Sequence, residues 1–320
     1  MRGARRLRDR PVMTGVARVA GVPHRTAPRW PATSPSHALG LVAFDASVAG
    51  PTSTVSAIVR AARAAGHPLT VVSARSLDAD SVATAVDTLF GRLVDGILAV
   101  APTDAALAAL ATVPPHVPLL AVGAGEAVGA GEAVGEAVGV PVVGFDNVSG
   151  AAAATRHLLD LGHATVHHIS GPPGWPVARE RAAGWRAALA EAGAPVGLVL
   201  SGDWSVRSGY EAARDLAADR DVSAVFCASD QMALGALRAL HLAGRAVPGD
   251  VSVVGFDDIP EAAFLRPPLT TVRQDLPALA RASVDLLVRQ ISAGVRILRH
   301  VRFPPSFVER DSAARPSCER

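Results

Sequence analysis

The sequence predicts an α/β protein made of two doubly wound parallel-sheet lobes. Three observations carry that expectation: nine short apolar runs recur from residue 40 onward, segments of helical period separate most of them, and glycine closes several of those segments. Short runs of Val, Ile, Leu and Ala without polar alternation are strands buried on both faces. Helices above and below a parallel sheet supply that burial.

The elements follow in order. GLVAF (40–44) opens the series, and VSAIVRAARAAGH places apolar residues at helical spacing behind it. PLTVVSA (68–74), VDGILAV (94–100), VPLLAVG (117–123) and PVVGFD (141–146) complete a first set. AAAATRHLLDLGH leads into TVHHIS (165–170), and ARERAAGWRAALAEAG leads into GLVLSGD (197–203). SAVFCAS (223–229), the helical DQMALGALRALHLAG and VSVVGFD (251–257) close the series. Nine strands suit two sheets of four or five strands each. Glycine in AAGH, DLGH, EAGAP and LAGRAVP stands where a helix ends, since it adopts the left-handed conformation without steric cost.

Bulk properties exclude several classes. At 320 residues the chain can bury two cores, and with 49% hydrophobic and 19% charged residues most of it is expected to fold. No apolar run reaches the roughly 18 residues that span a bilayer, and Arg18 interrupts the one weakly apolar stretch near the start. Cys227 and Cys318 lie in contexts that suggest no pairing, which fits a cytoplasmic protein. Residues 1–30 hold eight arginines and one acid (Asp9), a local +7 in a chain of net +2, so the remainder carries −5. All 31 basic residues are arginine, so the position of the basic arm is informative and the arginine count is not.

Residues 121–140 read AVGAGE, AVGAGE, AVGE, AVGV, a tandem repeat between two strands. GAGEAVG within it is spaced GxGxxxG rather than GxGxxG, and no helix follows before Pro141, so a surface loop is expected there and not a dinucleotide site. There is no nucleophile elbow, metal-ligand spacing or well-formed phosphate loop; the expectation is a protein without cofactor that is not an enzyme.

Three blocks carry a resemblance. GDWSVRSGYEAARDLA (202–217), then DQMALG, VPGDVSVVGFDD and PPLTTVRQD in order within residues 223–275, and VVGFDNVSG through GWRAAL (142–189) resemble the effector-binding core of the LacI/GalR family of bacterial transcription regulators. Residues 40–123 fit the family's first lobe by pattern only. The resemblance implies a periplasmic-binding-protein-like type I fold, a carbohydrate-like effector in the cleft, a homodimer, and an operator DNA partner. It divides the chain into a basic arm with a helix-turn-helix remnant (1–36), a core (37–310) and a tail (311–320). Within the core, lobe 1 takes residues 37–145 and 274–296, and lobe 2 takes 146–273 and 297–310, with hinge crossings near Asp146, Arg273 and Ile297.

Ligands in open parallel sheets lie at the carboxyl ends of strands. That rule points to Asp45, Gly123, Trp204, Ser229 and Asp257. The resemblance adds Arg181, from the pattern R-x-R-x-x-G in ARERAAGW, whose guanidinium can donate two parallel bonds to sugar hydroxyls or a carboxylate. On this reading Arg181→Ala removes binding and leaves stability intact, while Arg179 is a solvated helix residue. Asp257 faces ligand and Asp258 serves a cap or the hinge; Trp204 stacks on a sugar or fills the core. Ser229 stands where sugar-binding relatives commonly carry Asn, so it either contacts ligand or caps a helix. Gln274, at the hinge in TVRQD, is a further contact candidate.

MTGVARVAGVPHRTAPRW (13–30) resembles the start of the family's helix-turn-helix, with His24, Arg25 and Arg29 at positions that meet bases or phosphates. Gly15 replaces an acidic residue, Pro23 replaces the recognition helix's N-cap serine, and Pro28 inside that helix costs about 3 kcal/mol or more. PATSPSHA (31–38) then runs directly into LGLVAF, leaving no room for a third helix or a hinge helix. A degenerate, truncated headpiece is the expectation, and DNA binding by this chain alone is in doubt. The alternative is a cytoplasmic sugar-binding protein without autonomous DNA binding.

Overall fold

The computed structural model describes residues 36–44, 49–74, 76, 78–114, 116–123 and 139–317. His24, Arg25, Arg29, Asp45, Cys318 and most of the 121–140 repeat lie outside these residues.

Within them the first lobe is a six-stranded parallel sheet. It uses β1 (Leu39–Phe44), β2 (Leu69–Ala74), β3 (Gly96–Val100), β4 (Leu119–Val122), β5 (Val142–Phe145) and β11 (Val301–Phe303). Their order is β11-β5-β4-β3-β1-β2. Side chains alternate across a strand, and here both faces are apolar. Ile97 and Ala99 of β3, with Leu119 and Ala121 of β4, face a core under α2 (Ala79–Gly91) and α3 (Asp104–Ala111). Leu98, Val100, Leu120 and Val122 face the opposite core, under α1 (Ala49–Ala64) and α8 (Leu276–Ala293).

The second lobe repeats the plan with four parallel strands: β6 (His167–Ser170), β7 (Val199–Ser201), β8 (Ala224–Cys227) and β9 (Ser252–Val254), ordered β7-β6-β8-β9. Val225 and Cys227 face α6 (Val206–Ala218) and α7 (Asp230–Leu242). Ala224 and Phe226 face Trp185, Leu189 and Leu158, on α5 (Pro176–Glu191) and α4 (Asn147–Asp160). The antiparallel pair β10 (Thr271–Arg273) and β12 (Ser306–Val308) continues this lobe, joined to the end of β9 by a Val254–Thr270 bridge.

All nine strands expected from the apolar runs are present. The four glycines that close AAGH, DLGH, EAGAP and LAGRAVP have φ of 77°, 102°, 64° and 68°, the left-handed region that ends a helix. Two expectations are corrected. The chain passes from the first sheet to the second lobe's elements after Phe145 and back after Arg273, and the third passage falls at Pro304–Pro305 and not near Ile297, because β11 pairs with β5 and keeps Val301–Phe303 in the first sheet. That strand also raises the first sheet to six. It was not legible as a strand because Arg299, His300 and Arg302 break the apolar pattern that burial imposes on an inner strand. No helix among the described residues is long and apolar enough to cross a membrane.

Candidate functional site

Several helices begin at the cleft-facing strand ends, and each start is capped by a side chain that satisfies an otherwise unpaired backbone N–H. Asp146 caps α4, Ser205 caps α6, Ser229 caps α7 and Asp275 caps α8. These caps fix the loops between which a cavity of about 90 Å³ opens, bounded by both lobes. At roughly 10–15 Å³ for each water centre, it holds a handful of waters.

Helix α5 delivers the central cation. Its Gly184 lies so close to α4 that a Cβ there would meet the Val148 carbonyl oxygen at 2.1 Å, so the glycine lets the two helices touch and sets the height of the preceding turn. Arg181, one turn earlier, is only 5% exposed. Its Nε donates to Asn147 Oδ1 (3.1 Å), its Nη1 to the Ala228 carbonyl, and its Nη2 pairs with Asp257 Oδ1 at 3.1 Å. The guanidinium lies over the Phe256 ring, 3.8 Å from its centroid. A guanidinium carries five N–H groups. Three are engaged by Asn147, Ala228 and Asp257.

Asp257 adopts φ 109°, a strained conformation for a residue with a Cβ. Its backbone N–H is held by the Val272 carbonyl (2.8 Å), which keeps the turn in place. Burial raises the Asp257 pKa, and the Arg181 charge and hydrogen bond oppose that rise. Asp258 points elsewhere: it accepts from Arg273 Nε and Arg310 Nη2, each at 2.6 Å, so it braces the second crossing.

Trp204, with φ 74°, closes one wall. Its ring lies on Gly171, where a Cβ would meet ring carbons at 2.2 Å, and it meets Trp175 edge-on at 5.6 Å. The residue is 7% exposed and belongs to the core of its lobe while also lining the cavity. Its buried Nε1–H has no partner among the described residues. Facing it from the first lobe are Pro51, Val100, Phe145 and Leu276, an apolar wall.

Behind this wall a polar network fixes the geometry. Asn147 Nδ2 donates to Glu180 Oε2 (2.7 Å) and to the Phe145 carbonyl (3.2 Å), which leaves its Oδ1 to accept from Arg181 and from Gln274 Nε2 (3.3 Å). Glu180 is 1% exposed, and its other oxygen accepts from Arg302 Nη2 at 3.1 Å. Asp230 is fully buried beside Gly255, accepting from Thr271 Oγ1 (2.6 Å) and the Ile259 N–H (2.9 Å). Burial, reinforced by the nearby Asp257 charge, pushes its carboxyl up to about 8. No cluster of three or more His, Cys, Asp or Glu suited to a metal ion occurs among the described residues.

Comparison with known proteins places this geometry. A periplasmic binding protein-like domain family matches residues 155–313. The lactose operon repressor of Klebsiella pneumoniae is 32% identical over 295 residues, covering 91% of this chain and 80% of that protein. The chain belongs to the LacI/GalR family. The ribose operon repressor of Escherichia coli K12 is 36% identical over 171 residues, 52% of each chain, so this chain is matched to about half the length of that relative. Among solved structures, the complex of the transcriptional regulator CelR with cellobiose superposes with a TM-score of 0.74 at 28% identity, covering 95% of this chain and all of that one. These relatives are transcriptional regulators and not enzymes.

Of the residues expected from the LacI/GalR resemblance and the strand-end rule, the structure brings Gly123, Arg181, Trp204, Ser229, Asp257 and Gln274 to one cavity. Ser229 lines it and also caps α7, its Oγ accepting from the Met232 N–H at 3.3 Å. One expectation is overturned by a specific contact. Arg179 is not a solvated helix arginine: its two terminal nitrogens grip Asp104 at 2.8 and 2.9 Å. Asn147, Glu180, Arg302, Trp175 and Gln231 were missed. The available signal was positional for Asn147, which follows the first hinge crossing, and for Gln231, two residues after the strand-end Ser229.

Proposed function

We propose that this chain is a LacI/GalR-type transcriptional regulator, without enzymatic activity, that senses a small uncharged sugar in the cavity between its lobes. The Arg181–Asp257 pair carries the reading. Two opposite charges 3.1 Å apart leave the site electrically balanced, so a phosphate or carboxylate on the ligand would gain from one partner and be repelled by the other. A neutral diol suits both. One hydroxyl donates to the Asp257 carboxylate, its neighbour accepts from the Arg181 guanidinium, and the apolar ring face lies against Trp204 and the first lobe's wall. Asn147 and Gln274 orient this polar edge, and Ser229 adds one hydroxyl. The CelR relative, solved with cellobiose, supports the sugar class.

The rest of the reading follows the family: a homodimer in the cytoplasm in which ligand shifts the angle between lobes and with it the placement of DNA-binding elements. His24, Arg25 and Arg29 are the proposed operator contacts. Pro28, inside the segment that would be the recognition helix, favours a second reading in which this chain senses sugar without reading DNA alone.

Fluorescence anisotropy separates the two, using labelled DNA from upstream of the chain's own coding sequence and a scrambled duplex. The regulator reading expects selective binding that survives physiological salt and shifts with sugar. Equal, weak binding to both duplexes, lost as salt rises, would leave only phosphate contact by the basic arm and support the second reading.

A further inference from the structure

Two residues before the effector arginine, helix α5 makes a contact that the cavity does not need. Arg179 belongs to the second lobe and Asp104 opens α3 in the first. Nη1 donates to Asp104 Oδ2 at 2.8 Å and Nη2 to Oδ1 at 2.9 Å, a fork-on-fork pair. Nη1 also donates to the Pro173 carbonyl at 2.8 Å, so the loop before α5 holds the guanidinium in position. Asp104 is a first-turn carboxylate on a helix capped by Thr103, a location that favours negative charge. Neither residue lies on a segment that crosses the hinge. The contact therefore exists only while the lobes face each other as they do here.

We propose that Asp104 and Arg179 form an interlobe latch that sets how often the cleft opens, and hence how readily a ligand enters and leaves. The latch rests on lobe geometry and holds whichever ligand occupies the cavity. Because the two side chains keep 30% (Arg179) and 52% (Asp104) exposure, the pair is weak as a source of fold stability but suited to biasing a nearly balanced motion. Losing it shifts an open–closed equilibrium about five-fold. Solvent access also makes it sensitive to high salt, because the screening length falls from about 10 Å at 0.1 M to about 3 Å at 1 M, the scale of this contact.

The test needs no ligand. Nitroxide labels at Arg63→Cys on α1 and Arg214→Cys on α6, both exposed, report the distance between lobes by pulsed electron resonance. Cys318→Ser removes the other thiol, and Cys227 is fully buried and unreactive. Asp104→Ala and Arg179→Ala are each expected to raise the long-distance population about five-fold. The charge-swapped double variant, Asp104→Arg with Arg179→Asp, should return it towards the parent value. High salt should open the parent and leave the single variants unchanged. Arg179→Gln, which removes charge while keeping most of the side chain, should behave as Arg179→Ala. Unchanged distances in the single variants, or a swapped variant as open as either one, would overturn the latch.

Discussion

Arg181→Ala is expected to abolish sugar binding and to lower the free energy of unfolding by about 2–4 kcal/mol. Read from sequence, this side chain belongs to the ligand alone and its loss leaves stability intact. Burial changes that. At 5% exposure the guanidinium is the partner of the Ala228 carbonyl, Asn147 Oδ1 and Asp257 Oδ1, and truncation removes this donor from all three, with Gln274 Nε2 remaining for Asn147 Oδ1 alone. Asp257 then loses the charge that opposes its burial, and its pKa moves further up. Breaking one side of such a pair costs more than removing both. Arg181→Ala combined with Asp257→Ala should therefore recover part of the loss in urea denaturation, while binding stays absent. A single variant with unchanged stability would show that water reaches these groups and replaces the arginine.

Stability should fall as pH rises from about 6.5 to 8, and Asp230 should be the cause. Its folded pKa is about 8 against an ordinary value of 3.8, so between these values the native protein holds a proton that the unfolded chain has released. Stability then declines with pH by up to about 1.36 kcal/mol per unit, and is fully lost from this source above the folded value. Histidines complicate the acid side. Burial lowers His163, His167 and His168, the last to about 4, so each destabilises the fold as pH drops below 6.5. Just above 6.5 the unfolded histidines are still releasing protons and offset part of this fall, so the share of Asp230, up to about 2 kcal/mol between 6.5 and 8, is read as the difference between the parent and an Asp230 variant. Asp230→Asn cannot ionise. It should flatten this slope, whatever it does to stability at any one pH, because the Ile259 N–H and the Thr271 hydroxyl need acceptors that an amide supplies only in part. A slope that survives in the variant would assign the proton to another group.

Much of the fold was legible because burial writes itself into composition. Val225 and Cys227 must be apolar for one core, Ala224 and Phe226 for the other, and a run with no polar position results. β11 escaped for the same reason in reverse. As an edge strand it carries Arg302, whose guanidinium reaches Glu180 across 122 positions of sequence, and no local pattern announces such a partner. The cavity residues follow the same division. Arg181 and Asp257 stand in motifs with fixed spacing, and Ser229 and Trp204 follow strand ends. Asn147 orients the site by touching residues 33, 34 and 127 positions away, and Asp104 meets Arg179 over 75. Only the folded chain places these side by side.

A binding titration of matched sugars tests the central claim most directly. Trp175 and Trp204 both line the cavity, so tryptophan emission reports occupancy, and calorimetry provides an independent reading. Each neutral monosaccharide would be measured beside its phosphorylated and carboxylate forms, on the parent chain and on Asp257→Asn. The balanced Arg181–Asp257 pair predicts saturable binding of a neutral sugar, at least ten-fold weaker binding of its anionic forms, and loss of the neutral ligand with Asp257→Asn. Tighter binding of an anionic sugar to the parent chain, unaffected by Asp257→Asn, would contradict the account and make Arg181 an anion receptor.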